Sequence, residues 1–273
     1  MVNARRILAE NGLHPKKNLG QNFLIDYHVL DKIIAAANIS RNDLVIEVGP
    51  GLGALTDRLA RVAGKVVAIE IDTSLADILR KKSEPNVEII NQDILKTDLG
   101  EIIVKSGFSC TQLVANLPYY ITTPIIFSVL ENGLPITSMV VMVQKEVADR
   151  MLAAPSTKAY GLLTLSMAYY GKVSLVANVP PNCFFPRPDV HSAVVRIDVA
   201  PQSYLNREHF FPIIKAAFAS RRKTLLNCLS ASKELALSKD AAAKLLAVIG
   251  LPENVRGEAL TFENFANLTK CLH

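Results

Sequence analysis

A strand, a glycine-rich turn and a helix follow one another early in the chain, and this combination restricts the possible fold more than any other feature. The apolar run 44–48 predicts a buried strand, and residues 54–63 have the apolar spacing of a helix. Between them lies the turn Gly49–Gly53, whose glycines allow a ligand to approach the backbone closely. The segment therefore predicts the start of a doubly wound α/β domain with a cofactor at the glycine turn.

Acidic side chains occur in or directly after the first three predicted strands. Glu47 lies in the first strand, Glu70 ends the second, and Asp93 follows the third. A carboxylate at the end of the second strand can accept both hydroxyls of a ribose. We expect the carboxylate after the third strand to bind the amino group of an adenine ring, although Asp93 could instead be a helix N-cap.

The glycine turn also fits the fingerprint of dinucleotide-binding enzymes, because Gly49 and Gly51 are followed by Ala54 at the required spacing. Glu47 argues against a nicotinamide cofactor, since its charge would repel a pyrophosphate but suits a ligand with a sulfonium and an ammonium group. Pro50 lacks the backbone N–H that a phosphate would need. The pattern favours S-adenosylmethionine over NAD, which remains the alternative.

Asn116-Leu117-Pro118-Tyr119 follows the apolar run 113–115, which predicts a fourth strand. An amide oxygen and a backbone carbonyl held in place by proline can accept the protons of an exocyclic amine. This favours a pyramidal nitrogen whose lone pair faces a methyl donor. An exposed tyrosine can stack on the base. The motif predicts methylation of the adenine amino group, although an ordinary strand-to-helix turn would also contain such residues.

Together these segments resemble the successive motifs of the ribosomal RNA adenine N6-dimethyltransferases. The resemblance runs from about residue 16 to the carboxyl terminus, and its last two segments are most similar to the members that act on small-subunit RNA. The segments that carry it are Gln21–Leu24, Glu47–Gly53, Glu70, Gln92–Leu95, Asn116–Tyr119, Phe184–Ala193 and Phe218–Leu225.

The resemblance implies a fold, an activity and a set of site residues. The fold is a Rossmann-like class I methyltransferase domain, an α/β domain with a mostly parallel seven-stranded sheet and an antiparallel end strand, plus a small all-α C-terminal domain. The activity is S-adenosylmethionine-dependent N6,N6-dimethylation of two adjacent adenosines in the 3′-terminal hairpin loop of 16S rRNA within the immature 30S subunit. The implied cofactor-binding residues are Asn22, Leu24, Gly49, Gly51, Glu70, Ile71, Asp93, Ile94 and Asn116, and the implied catalytic residues are Asn116, Leu117, Pro118, Tyr119 and Phe185.

Phe185 belongs to a proline-rich loop over 180–188, whose stiff turn would place one ring opposite Tyr119 and clamp an extruded adenine. The alternative is that the phenylalanines of this loop fill the core. Basic residues elsewhere are candidates to hold RNA phosphates, although such clusters are commonly a solvated face. These candidates are Lys16, Lys17, Arg187, Arg221, Arg222 and Lys223.

We expect three parts in the chain: a basic N-terminal arm over 1–24, an S-adenosylmethionine-binding catalytic domain over 25–202, and a helical RNA-binding domain over 203–273. Helical apolar spacing follows the second boundary. Before it, the strand patterns 173–179 and 192–198 are joined without a helix, which predicts an antiparallel pair at the end of the sheet.

Composition agrees with this interpretation. An apolar content of 50% supports a sizeable core, and the net charge of +5 fits an anionic partner. The four cysteines lack the close spacing of zinc or disulfide sites, so we expect a reducing compartment and no metal. The amino terminus lacks the apolar core of a signal peptide, and no apolar run reaches membrane-spanning length. We therefore expect a cytoplasmic protein with no membrane partner, and a monomer.

Three other functions stay open. A 23S rRNA adenine dimethyltransferase of the antibiotic-resistance type shares the N-terminal motifs. A non-catalytic RNA-binding assembly factor would keep the fold without turnover. A nicotinamide oxidoreductase would use the same glycine turn.

Overall fold

The computed structural model describes residues 3–272, which form two compact units. The first unit runs to Ala148 and resumes over Val173–Val199, and the second consists of Asp149–Lys172 and the chain from Ala200 onward. The division after Val199 lies close to the predicted boundary at 202. By contrast, residues 149–172, which we expected in the catalytic domain, group with the second unit.

The first unit is built on a mostly parallel sheet. The strands of the protein are β1 (Phe23–Leu24), β2 (Asp43–Val48), β3 (Lys65–Glu70), β4 (Val87–Asn91), β5 (Cys110–Asn116), β6 (Ile136–Gln144), β7 (Gly171–Val179), β8 (Phe184–Phe185) and β9 (Ser192–Val199). Seven of them form one sheet in the order β4-β3-β2-β5-β6-β9-β7. The strands β4, β3, β2, β5 and β6 pair in parallel, and β9 pairs antiparallel with β6. The predicted α/β sheet with an antiparallel strand near its end is confirmed.

Helices connect the strands and supply the second unit. They are α1 (Ala4–Glu10), α2 (Tyr27–Ala37), α3 (Thr56–Val62), α4 (Thr73–Lys82), α5 (Leu99–Ser106), α6 (Thr122–Glu131), α7 (Lys145–Met151), α8 (Leu162–Tyr170), α9 (Arg207–Ala219), α10 (Leu225–Ser230), α11 (Lys239–Val248) and α12 (Phe262–Cys271). Most begin at a side-chain cap. In α2, for example, the Asp26 carboxylate accepts a hydrogen bond from the backbone N–H of Val29 at 3.1 Å.

The amino-terminal segment folds onto the first unit. Met1 and Val2 of the predicted arm lie outside the described residues, but α1 buries Ala4 and Leu8 against Phe23 and Leu52. The short strands β1 and β8 pair antiparallel, with Phe23 opposite Phe185. This pairing, which the sequence did not predict, joins the segment before α2 to the proline-rich loop.

The second unit has helices α8 to α12 as its main elements. Phe210 of α9 and Phe265 of α12 are fully buried, and the ring of Phe210 stacks on Tyr169 with centroids 5.2 Å apart. This agrees with the predicted small helical domain. Over residues 3–272, none of the helices combines the length and the apolar character needed to cross a bilayer.

The backbone at Gly64, between α3 and β3, allows a first test of this packing. A β-carbon at Gly64 would lie 2.2 Å from the carbonyl oxygen of Arg41 and 2.5 Å from the ring of Phe108. Because the Gly64 N–H also donates to the Asp43 carbonyl at 3.1 Å, the backbone has little freedom to move away. We expect Gly64→Ala to lower the free energy of unfolding by about 3 kcal/mol or more in denaturant titrations.

Gly107 provides the matched control for that substitution. It has a positive φ of 72°, and within the described part of the chain nothing lies within 4 Å of its would-be β-carbon. Gly107→Ala should therefore lose only the roughly 1 kcal/mol associated with a left-handed backbone. Equal losses in the two variants would contradict the steric argument.

Candidate active site

An open cavity lies at the carboxyl ends of β2, β3, β4 and β5. These four strands run in parallel, so that their ends meet at one edge of the sheet, where α/β proteins bind ligands. The walls come from the loops after these strands and from the segment that contains β1. The lining residues are Leu19–Phe23, Val48, Gly49, Gly51, Ile69–Ile71, Leu75, Gln92–Ile94 and Asn116–Ile121.

The cavity brings most of the predicted site residues together. The predicted cofactor-binding residues that line it are Asn22, Gly49, Gly51, Glu70, Ile71, Asp93, Ile94 and Asn116. Leu24 is placed differently: it belongs to the hydrophobic core and lines a smaller adjoining cavity together with Glu47 and Asn116. Of the predicted catalytic residues, Asn116–Tyr119 line the main cavity. The half-buried Phe185 packs against the apolar cluster of α1, with the Arg5 guanidinium 5.5 Å from its ring centroid.

The side chain of Asn116 is fixed in one orientation. Its Nδ2 donates a hydrogen bond to the carbonyl oxygen of Asn22 at 3.0 Å. The amide nitrogen is thus turned towards the β1 segment, which leaves Oδ1 as the acceptor for a group in the cavity. Pro118, with φ −59°, fixes the backbone that follows Leu117.

The ring of Tyr119 is held by a hydrogen bond that the sequence did not reveal. The Tyr119 hydroxyl lies 2.5 Å from the hydroxyl of Ser192, which is fully buried at the start of β9. Burial raises the pKa of Tyr119, and the hydrogen bond to Ser192 opposes that rise only in part. The phenol therefore stays neutral at physiological pH and offers an aromatic face in a fixed place.

Glu70 is a buried carboxylate held by backbone donors. Its Oε2 accepts a hydrogen bond from the Gly51 N–H at 3.1 Å, and its Oε1 accepts one from the Asp72 N–H at 2.9 Å. Burial raises the pKa of Glu70, and the two N–H groups counteract this. The first of these bonds joins the glycine turn directly to the end of β3.

Glu47 is a buried carboxylate beside the cavity, and one of its oxygens is unpartnered within the described residues. Its side chain is 1% exposed, and within residues 3–272 its Oε2 has no hydrogen-bond partner. Burial, reinforced by the nearby charges of Asp57 and Glu70, raises the pKa of Glu47 to about 8. Since Glu47 lines the smaller cavity beside Gly49, a cationic group there would favour its ionised form and lower its pKa again.

Asp93 is a helix cap that also lies at the wall of the cavity. Its Oδ1 accepts a hydrogen bond from the Leu95 N–H at 3.0 Å, so that it caps the short 3₁₀ helix Ile94–Lys96. The same side chain lines the main cavity. Capping therefore fixes the carboxylate at the cavity wall and does not remove it from the site.

The candidate phosphate-binding residues differ in what surrounds them. Lys17, Arg187, Arg222 and Lys223 are exposed. Lys16 lies against Asp72, its Nζ 2.8 Å from Oδ1.

Arg221 makes contacts within the second unit. Its guanidinium donates to the carbonyl oxygens of Thr157, Lys158 and Tyr160 at 2.7–3.3 Å and lies 3.3 Å from Oε2 of Glu258. These four acceptors give Arg221 a structural role in holding the turn before α8.

Comparison with known sequences agrees with this geometry. Residues 12–272 match the sequence model of a family described as ribosomal RNA adenine dimethylase. The chain is 50% identical over 260 residues to the ribosomal RNA small subunit methyltransferase A of Lachnoclostridium phytofermentans, with 93% of this chain and 90% of that protein covered.

Two solved structures extend the comparison to the fold. A dimethyladenosine transferase from Plasmodium falciparum is similar with a TM-score of 0.80 and 28% identity, over 90% of this chain and 95% of that one. The 23S rRNA methyltransferase ErmE is similar with a TM-score of 0.72 and 25% identity, over 92% and 99% of the two chains. Both similarities span at least nine tenths of the chain.

The raised pKa of Glu47 predicts how stability depends on pH. In the folded state Glu47 keeps its proton up to about pH 8, whereas the unfolded chain loses that proton near its ordinary value of 4.5. Between these limits the folded state binds more protons, so the free energy of unfolding falls as pH rises. Glu47→Gln should weaken this fall, and its melting temperature should exceed that of the wild type at about pH 8.

The control for this prediction is Glu84→Gln, the same substitution at an exposed position. Melting curves of the protein without ligand, recorded from about pH 5 to pH 8, should give the wild-type pH dependence for Glu84→Gln. A Glu47→Gln profile parallel to the wild type would show that the buried carboxylate does not titrate in this range.

Proposed function

This chain belongs to the ribosomal RNA adenine dimethylase family, and on that premise we propose that it transfers methyl groups from S-adenosylmethionine to N6 of two adjacent adenosines in the 3′-terminal hairpin loop of 16S rRNA. One observation supports this most directly. A single cavity joins the glycine turn, Glu70 and Asp93 to the Asn116–Tyr119 edge. A cofactor and an extruded base can therefore share one space.

The residues at the sheet edge fit S-adenosylmethionine, which supplies an electrophilic methyl group on a sulfonium. We assign Glu70 to the ribose hydroxyls and Asp93 to the adenine amino group of the cofactor. The exposed side chain of Ile71 and the adjacent Ile94 offer apolar contact to that ring. The unpartnered Oε2 of Glu47 matches the positive charge at the other end of the ligand.

Asn116 and Leu117 hold the target amine. Oδ1 of Asn116 and the Leu117 carbonyl accept its protons, which favours the pyramidal nitrogen that attacks the methyl group. The contact of Asn116 Nδ2 with Asn22 holds that acceptor in place before the base arrives. Binding of the target base therefore does not have to reorient the Asn116 side chain before the amine can react.

The target ring is held by stacking. Tyr119 provides one face, and the hydrogen bond to Ser192 keeps the ring from rotating away. Phe185 is our candidate for the second face. It is half-buried and pairs with Phe23, which lines the cavity.

Proton removal needs no dedicated base in this scheme. Alkylation makes the attacking amine strongly acidic, so its proton can leave to water. Tyr119 is unsuited to act as the base, because burial raises its pKa. The chain therefore contributes orientation and hydrogen-bond acceptance, and the neutral amine regains its lone pair for a second transfer.

The small-subunit substrate is favoured over the large-subunit one by sequence similarity. Identity is 50% to a protein named for the small subunit and 25% to the 23S rRNA methyltransferase. The exposed residues Lys17, Arg187, Arg222 and Lys223 are proposed to contact phosphates of the immature 30S subunit, and the protein to act there as a cytoplasmic monomer.

The second candidate is methylation of 23S rRNA, which the fold similarity to ErmE keeps open. Incubating the protein and methyl donor with immature 30S particles, and separately with protein-free 23S rRNA, distinguishes the two. Mass analysis of nuclease fragments should show two adjacent dimethyladenosines in the small-subunit hairpin. Modification of 23S rRNA alone would overturn the proposal, and no modification in either RNA would favour a non-catalytic assembly factor.

Asn116→Ala tests the amine-binding role. The variant lacks the acceptor for the target amine and the contact to Asn22, so methyl transfer should fall to near background. Binding of S-adenosylmethionine, measured by calorimetry, should weaken but remain measurable, because Glu70 and Asp93 are intact. The control is Asn132→Ala, which removes an exposed amide just after α6 and should retain wild-type turnover. Wild-type activity in Asn116→Ala would exclude Asn116 from the mechanism.

Tyr119 variants separate stacking from hydrogen bonding. Stacking of a base on an aromatic ring contributes about 1–3 kcal/mol, so Tyr119→Ala should lower kcat/KM for RNA by about 5- to 150-fold. Tyr119→Phe keeps the ring and removes only the hydrogen bond with Ser192. Its loss of kcat/KM should therefore be several-fold smaller than that of Tyr119→Ala. If both variants lose activity equally, the hydroxyl rather than the ring carries the effect.

A further inference from the structure

One wall of the main cavity is a segment with little regular structure. Residues 16–24, the wall segment, contain the short 3₁₀ helix Lys17–Leu19 and the two-residue strand β1. Five residues of this segment, Leu19–Phe23, line the cavity. Because so few backbone hydrogen bonds hold such a segment, its position depends on side-chain contacts.

Asp72 provides the strongest of these contacts. Its side chain is 3% exposed, and its Oδ1 lies 2.8 Å from the ammonium nitrogen of Lys16. Its Oδ2 accepts a hydrogen bond from Nε2 of Gln21 at 2.8 Å. Both ends of the turn that precedes Asn22 are therefore held by one carboxylate.

The same residue is connected to the cofactor side of the cavity. The Asp72 N–H donates to Oε1 of Glu70 at 2.9 Å, and Oδ1 also accepts from the Ser74 N–H at 3.1 Å to cap α4. Gln21 completes the arrangement, since its Oε1 accepts from the Lys16 N–H at 2.8 Å. The wall segment, Glu70 and the start of α4 thus meet at Asp72.

We propose that Lys16 and Asp72 are positioning residues for the cofactor, which hold the wall segment against the cavity. The inference rests on the proposed function, because it takes the ligand of the cavity to be S-adenosylmethionine. It also assigns Lys16 a different role from the phosphate contact predicted from the sequence. An RNA phosphate would have to compete with a buried carboxylate already 2.8 Å from the ammonium group.

The Lys16–Asp72 ion pair should matter for cofactor binding because its carboxylate is buried against the wall segment. A salt bridge between two exposed side chains contributes little, but here one partner is buried, and removing its counter-charge leaves an uncompensated carboxylate. That carboxylate would attract water into the wall of the cavity. Its remaining donors, Gln21 and Ser74, keep the fold, so the damage should be local.

Four variants of the full chain test this proposal: Lys16→Met, Asp72→Asn, the double variant, and Lys17→Met as the control. Lys17 is exposed and adjacent, so its substitution removes the same charge without touching Asp72. The measurements are the Kd of S-adenosylmethionine by calorimetry, the affinity for the small-subunit hairpin RNA at several salt concentrations, the melting temperature, and hydrogen exchange of residues 16–24.

We expect Lys16→Met and Asp72→Asn each to raise the Kd of S-adenosylmethionine about tenfold and to speed hydrogen exchange in the wall segment. The double variant should be no weaker than either single variant, because the two residues act as one pair. Lys17→Met should leave cofactor binding unchanged. RNA affinity and its salt dependence should be the same in Lys16→Met as in the wild type.

The proposal is overturned if Lys16→Met binds S-adenosylmethionine normally and instead loses RNA affinity as Lys17→Met does. It is also overturned if the two single effects add in the double variant, or if the loss of cofactor binding follows a fall in melting temperature alone. Failure of the proposed function has a separate signature, since the wild-type protein would then not bind S-adenosylmethionine.

Discussion

The parallel register of β2 with β3 and β5 is the constraint on which the rest of the site depends. Val48 lies opposite Ile69 on one side and Ala115 on the other, so that the glycine turn, Glu70 and Asn116 emerge at one edge. A slip of one residue in any of these strands would turn its side chains to the opposite face. The bond from the Gly51 N–H to the Glu70 carboxylate also requires this register. The chemistry therefore depends on backbone pairing before any site residue is considered.

The two buried glutamates show that the cavity is arranged for a ligand at the expense of the empty protein. Burial raises the pKa of both Glu47 and Glu70, so their ionised forms are disfavoured in the folded chain. A fold selected only for stability would place apolar side chains there. A ligand with a positive charge beside Glu47 would favour its ionised form, and hydroxyl donors beside Glu70 would add to the two backbone N–H groups that already bind that carboxylate. Its binding should therefore stabilise the fold by more than contact area alone would suggest.

The local apolar pattern was enough to predict the longer strands. The features that the sequence did not predict depend on pairing between segments far apart in the chain. Strand β2 covers the predicted run 44–48, and β7 and β9 cover the predicted strands 173–179 and 192–198, because the apolar pattern of a strand is encoded within a few residues. The pairing of β1 with β8 joins Phe23 to Phe185, which are far apart in sequence and lie in strands of only two residues. No periodicity can mark such a strand. The grouping of residues 149–172 with the second unit is likewise a consequence of tertiary packing.

Charged residues gave the weakest sequence signal, and the reason bears on RNA recognition. A basic side chain has the same local pattern whether it binds a phosphate or a partner within the chain. Lys16 lies on Asp72, and Arg221 donates to three backbone carbonyls and lies beside Glu258. With these two engaged, fewer side chains are available to RNA phosphates. Each phosphate contact that is absent makes the plot of log affinity against log salt concentration less steep by about 0.7–0.9. Phosphate contacts carry no base information in any case. Selection of the target adenosines should therefore depend on the shape of the RNA and on the pocket at Asn116 and Tyr119, more than on the net positive charge that first suggested an anionic partner.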